Sequence, residues 1–186
     1  PTIADMRPAI SDIGSNRGEG IYSQLVGYGK DVSVIGFEPN PLIFNKLERA
    51  CKPTRGVTVH NLGLGAQTGE FELHVPFYRK WMFDGLSSFY KHEGEHWLEK
   101  NMWNYNQKLQ TNKTVQCKVR TLDSFELKPY FMKLDVQGFE YEVLKGSIET
   151  LKEHSPILLI ESISKEVMDY LKPMSYEFYT YKNGEF

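Results

Sequence analysis

Two kinds of hydrophobic pattern take turns along this chain. Short, almost uncharged runs at 9–13, 32–38, 57–62, 130–135 and 155–161 have the composition of strands buried on both faces of a parallel sheet. Between them lie stripes of helical period. Ile21, Leu25 and Tyr28 share one face, a second helix runs over 42–51 behind Pro41, and Val143, Leu144, Ile148 and Leu151 line a helix predicted from Glu140 to about Leu151. A last helix follows the fifth strand to about Leu171, where Lys172 and Pro173 end it. The order strand, helix, strand, helix, strand predicts a doubly wound α/β fold with a mostly parallel sheet, whose ligand crevice lies at the carboxyl ends of the strands.

Two segments depart from that order. Phe71, Leu73 and Val75 alternate after Gly69, and 114–120 alternates again, which predicts an antiparallel strand pair. Between them an insert at about 77–113 fits no regular period and is crowded with aromatic residues. Long loops of this kind serve as lids or binding loops. Aromatic faces beside polar groups suit a ligand with apolar C–H faces and many hydroxyls, such as a sugar. Trp81, Phe83, Ser87, Ser88 and Trp97 are the substrate-binding candidates, with Gly85 as a hinge. A partner-protein surface and a packed helix over 93–107 are the alternatives. The tail 176–181 alternates as a strand, and Asn183 and Gly184 read as a hairpin turn. The sequence ends at Phe186 where the return strand would begin, so the C-terminal hairpin is expected to be incomplete.

A length of 186 residues fits a single domain over 1–186. The formal net charge of −2, from 22 basic and 24 acidic residues, offers no basic stripe for nucleic acid. Cys51 and Cys117 are too few for a disulfide framework or a zinc site and are expected to be reduced thiols. No apolar run approaches the ~20 residues of a membrane span, and no leader pattern opens the chain, which together predict a soluble, cytoplasmic protein. The start at Pro1 is read as a trimmed sequence or as an excised domain of a larger, multidomain chain.

The chemistry concentrates at the strand ends. Gly14 permits a sharp turn after the first strand, and Gly18 and Gly20 let the first turn of the next helix approach a ligand. Asp12 stands two residues before Gly14. A pyrophosphate-binding loop wants backbone donors and no nearby anion, whereas a ligand with an ammonium group wants an acid. The D-x-G-x-N-x-G order therefore favours S-adenosylmethionine (SAM) over NAD. Glu38, at the end of the second strand, can accept both ribose hydroxyls. Asn61, Leu62 and Gly63 would flank the adenine. Ser15, Asn16 and Asn40 complete the expected cofactor shell, with Asp135 at its far side.

These motifs resemble one family, the FkbM-type SAM-dependent methyltransferases. Asp12 to Gly18 is similar to its D-x-G-A-N-x-G, Phe37 to Pro41 to its F-E-P-N-P, and Lys133 to Gly146 to its K-x-D-V-E-G-x-E-x-x-V-L-x-G. Glu161 resembles its strand-end acid. The resemblance covers nearly the whole chain outside the aromatic insert and implies a Rossmann-like class I methyltransferase. It further implies O-methylation, commonly of sugar hydroxyls in glycans and of secondary metabolites. One departure stands out: Gln137 occupies the place of the family's acid after Asp-Val.

A sulfonium is an activated donor, so the transfer needs an in-line acceptor oxygen and a group that takes its proton. Asp135 is expected in that role, with Glu161 beside or behind it. A cap on the following helix, or a partner for the ammonium, is the other use of Asp135, and Glu161 or a histidine of the insert such as His92 or His96 would then supply the base. Oxygen-ligand sites have no recognisable spacing, so a divalent metal stays open. Two further classes compete. An NAD-linked or nucleotide-sugar oxidoreductase would use the same frame, but the glycines fall as G-x-x-x-G-x-G. A catalytically idle interaction domain would keep the frame and bind a partner through the insert.

Overall fold

The structure is a computed structural model that describes residues 8–29, 31–91 and 93–182. In chain order the elements are β1 (Ala9–Ile13), α1 (Glu19–Tyr28), β2 (Ser33–Phe37), α2 (Pro41–Cys51), β3 (Val57–His60), β4 (Gly63–Leu64), β5 (Gly69–Tyr78) and β6 (Trp81–Met82). Then follow α3 (Glu93–Asn101), β7 (Gln110–Arg120), β8 (Pro129–Leu134), α4 (Glu140–Lys145), α5 (Ile148–His154), β9 (Ile157–Ile160) and α6 (Lys165–Leu171). His92, Asn183, Gly184 and Phe186, named above, lie outside the described residues.

The uncharged runs form the main sheet, in the order β3-β2-β1-β8-β9, and all four pairings are parallel. Both faces of the central strands β1 and β2 are covered, as the lack of polar alternation requires, whereas Ile157 and Leu159 of the edge strand β9 are exposed. On one face Ile10 and Val34 pack against Ile21 of α1 and Leu47 and Cys51 of α2. On the other, Ile13, Met132 and Leu134 pack against Val143 and Leu144 of α4, Leu151 of α5, and Val167 and Leu171 of α6. Full burial of such a side chain contributes about 1.5–3 kcal/mol, so these two layers fix where the strand ends lie.

A second sheet, β4-β7-β5-β6, contains the antiparallel pair, with β5 and β7 in register from Gly69↔Val119 to Tyr78↔Gln110. The ribbon is longer than the alternation of 114–120 indicates, because Gln110 to Lys113 continue the pairing without an apolar face to mark it. The insert proper is therefore shorter than 77–113. It holds β6, a 3-10 turn at Asp84–Leu86, and α3, so the packed-helix alternative, drawn over 93–107, holds only over Glu93–Asn101.

Two predicted elements differ. The helix from Glu140 to about Leu151 is broken into α4 and α5. Gly146 lies so close to the Gly65 backbone that a Cβ on it would stand 1.9 Å from the Gly65 oxygen. There the Gly146 carbonyl turns to accept from the N–H of Asp123 at 3.1 Å. The Asp123 carboxylate in turn accepts from the N–H groups of Glu149 and Thr150 at 3.1 and 2.9 Å, satisfying the free donors of α5. The alternating tail 176–181 forms no strand. Within that stretch the Tyr176 hydroxyl donates to the Pro156 carbonyl at 3.1 Å.

Candidate active site

The register of the main sheet brings the polar strand ends into one row. His60 lies opposite Phe37, Phe37 opposite Ile13, Ile13 opposite Leu134, and Leu134 opposite Ile160. The next residue of each strand is therefore level with its neighbours: Asn61, Glu38, Gly14, Asp135 and Glu161. Backbone hydrogen bonds carry the pairing to that level, from Glu38 N to His60 O, Gly14 N to Phe37 O and Asp135 N to Ile13 O at 3.0 Å each, and from Glu161 N to Leu134 O at 3.2 Å. Gly14 takes the middle of the row with φ +82, and a Cβ there would stand 1.9 Å from the Asp135 carbonyl oxygen. Only glycine fits that close approach.

A cleft of about 580 Å³, counting its part open to solvent, lies above this row. Gly14, Asn16, Glu38, Gly63 and Asp135 line it, and Ile13, Phe37, Leu64, Leu73, Phe89 and Val136 give it apolar walls. Glu38 is 6% exposed. Its Oε2 accepts from the Asn16 N–H and its Oε1 from the Asn40 N–H, both at 2.8 Å. Burial pushes this carboxyl up to about 7 in spite of those two donors. Asn16 adopts φ 47, and its Oδ1 is buried with no hydrogen-bond partner.

The other expected cofactor residues support the cleft from behind. Asn40 caps α2 through the Leu42 N–H at 3.0 Å. Asn61 donates from Nδ2 to the Glu38 carbonyl at 2.9 Å. Ser15 donates from Oγ to the Asp12 carbonyl at 2.9 Å, Gly18 opens α1 with φ +100, and Leu62 packs on the core. Asp12 lies two residues below the row, opposite Gly36 and Lys133, and is 0% exposed. Its Oδ1 accepts from Gln24 Nε2 at 3.0 Å, its Oδ2 has no partner, and burial pushes its carboxyl up. It faces α1, where a Cβ on Gly20 would stand 2.6 Å from Oδ1, and it does not line the cleft.

The first half of the insert closes over this cleft. Asp84, Gly85, Ser87 and Phe89 are part of its lining. Arg17 donates to Asp84 from Nε at 2.6 Å and from Nη2 at 2.9 Å. Asn40 Nδ2 donates to Ser87 Oγ at 3.3 Å, and Ser88 Oγ donates to the Gln137 carbonyl at 2.8 Å. Phe89 packs on Phe139 with ring centroids 4.8 Å apart. The segment 84–89 is thus held to the loops after β1, β2 and β8. Of the aromatic candidates, Phe83 stands just outside the lining, while Trp81 and Trp97 are 65% and 47% exposed.

Asp135 and Glu161 meet at the other end of the row. Gln137 Nε2 donates to Asp135 Oδ1 at 3.1 Å and to Glu161 Oε2 at 2.9 Å, and Lys133 Nζ donates to Asp135 Oδ2 at 3.0 Å. Burial alone would raise Asp135. A hydrogen bond from Glu161 and the Lys133 ammonium outweigh it and hold Asp135 below the usual carboxylate range. Glu161 moves the other way, up to about 7, through that same hydrogen bond, then burial, then the Asp135 charge. The two behave as a pair that holds one proton, on Glu161, below about pH 7. Among the described residues no group of three or more His, Cys, Asp or Glu is placed to hold a metal ion. No described helix is long and apolar enough to cross a membrane.

The lining residues missed in the sequence fall into two groups. Val136 and Gln137 belong to the strand-end motif and were legible there. Leu73 and Phe89 arrive from the second sheet and the insert, and nothing local marks them.

A doubly wound sheet with an acid after β2 and a carboxylate after β8, facing one cleft, defines the class I methyltransferase architecture. Residues 12–178 match the methyltransferase FkbM domain, and the chain belongs to that family. In three dimensions it is similar to the methyltransferase FkbM from Methylobacillus flagellatus KT, with a TM-score of 0.59 and 21% identity. That match covers 90% of this chain, which spans 36% of the larger one. No curated protein matches the chain.

Proposed function

We propose that this domain is a SAM-dependent O-methyltransferase acting on a hydroxyl of a sugar or glycan. The observation that carries the reading is that Asp135 and Glu38 stand in one row and line one cleft. The residues suit SAM. Glu38 would receive the ribose hydroxyls, Leu64, Leu73 and Phe89 the adenine, and the buried Asn16 Oδ1 lacks the donor that a bound ligand would bring. Asp12 is less suited to the ammonium group expected for it, since its carboxylate faces α1; the Gly14 loop lies nearer to that task. When bound, SAM supplies a methyl group already activated on a sulfonium.

What remains for the chain is to orient the acceptor oxygen and take its proton. Asp135 Oδ receives that proton, and Glu161, sharing a hydrogen bond with Asp135, shares the charge. Segment 84–89 keeps water from the cleft. The exposed rings of Trp81 and Trp97 offer faces on which a sugar can stack. Trp81→Ala is expected to raise the acceptor KM and leave SAM affinity alone. The test is incubation with methyl-labelled SAM and matched panels of sugars, phenols and amines. An O-methyl sugar is the expected product, and transfer confined to amines or phenols would overturn the reading.

A further inference from the structure

Between the two carboxylates lies a side chain that the reaction itself does not require. Gln137 follows β8 by three residues and adopts φ 50, a left-handed conformation that glycine and asparagine tolerate better. What the position holds in return is contact on both sides. The carbonyl accepts from Ser88 Oγ at 2.8 Å, tying Gln137 to the segment over the cleft. The side chain reaches across the gap between β8 and β9.

We propose that Gln137 is a positioning residue of the methyl-transfer site: its Nε2 directs one N–H at Asp135 Oδ1 and the other at Glu161 Oε2, and so stabilises the doubly charged pair that receives the acceptor's proton. This rests on the reading of Asp135 as the base. An amide nitrogen carries two hydrogens and no charge. With 3.1 and 2.9 Å to the two oxygens, both donors are used on carboxylates. Hydrogen bonds to a charged form favour that form.

The consequence concerns which protonation state works. While Glu161 keeps its proton, Asp135 is a weak base, held down by Glu161 and Lys133. Once the pair is fully ionised, the next proton returns with an affinity near neutrality, where a general base is most effective. The other charged groups facing the pair are Lys133 on β8, Glu140 on α4 and Asp12 on β1. Lys133 acts with Gln137 and favours ionisation, and the two acids oppose it. Removing the amide leaves that opposition less balanced, so the pair gives up its last proton at higher pH.

Gln137→Gly tests this without endangering the fold, because glycine accepts the left-handed backbone and keeps the carbonyl that Ser88 uses. The Glu161 carboxyl, followed by carbon-13 NMR in the ligand-free protein, is expected to titrate near 7 in the wild type and higher in Gln137→Gly. Gln137→Glu, which replaces both donors with a third charge, is expected to move it further. In kcat the rising limb follows the same order, and neutral activity falls about tenfold for each unit the limb moves. Lower melting temperature or SAM affinity with an unmoved titration would mark Gln137 as structural only and overturn the proposal. A fully active Asp135→Asn would instead overturn the base reading, whereas the NMR titration stands independently of activity.

Discussion

A carboxylate offers about four lone-pair sites, and Glu38 uses one on each oxygen for the N–H groups of Asn16 and Asn40. Those bonds hold the loops after β1 and β2, and the remaining sites suit a diol. Glu38→Ala is expected to weaken SAM binding by about 1.5–3 kcal/mol, the range for hydrogen bonds to a charged group, as read by calorimetry. Ionisation has a cost as well. The folded-state carboxyl is raised from 4.5 to about 7 by burial, so the folded chain holds a proton that the unfolded chain releases. Stability is therefore lost as pH rises from about 4.5 through about 7, on the order of 3 kcal/mol from this group. Chemical denaturation across that window is expected to show the fall in wild type and a smaller one in Glu38→Gln. A flat profile would mean that Glu38 titrates normally. Glu38, Asp135 and Glu161 were legible because each ends a mostly apolar run. Asp12 reads the same way, but it lies two residues short of the row, and only the register of β1 against β2 and β8 reveals that.

Helix α4 shows how far local pattern reaches. Val143, Leu144 and Leu151 are buried as a single apolar stripe would place them, yet the helix stops at Gly146 because Gly65, far away in sequence, touches its backbone. Helix propensity predicts that Gly146→Ala gains up to about 1 kcal/mol. The contact predicts the opposite sign, a loss of about 1–3 kcal/mol from forced displacement, and equilibrium denaturation decides between them. The insert is the complementary case. Its helix and 3-10 turn lacked a clean period, and its docking onto the cleft depends on Arg17, Asn40 and Gln137 from three separate loops. Arg17 and Asp84 form a partly exposed pair, worth about 0.2–1 kcal/mol. Arg17→Ala is therefore expected to speed SAM dissociation by about 1.4–5-fold in stopped-flow, with the melting temperature nearly unchanged. An unaltered dissociation rate would mean that the segment does not gate the cleft.

At the scale of the molecule, parallel register is what turns separated residues into a site. Five strands end level, their central glycine leaves room for close approach, and the flanking positions carry Glu38 on one side and Asp135 with Glu161 on the other. The methyltransferase FkbM family accounts for the frame. The most direct test is single-turnover transfer from methyl-labelled SAM to a sugar acceptor by wild type and by Asp135→Asn, which keeps the size of the side chain and removes its charge. General-base contributions are ~10²–10⁴-fold, so the variant is expected to lose that much in rate while binding SAM as tightly as wild type. Transfer by Asp135→Asn at the wild-type rate would contradict the account.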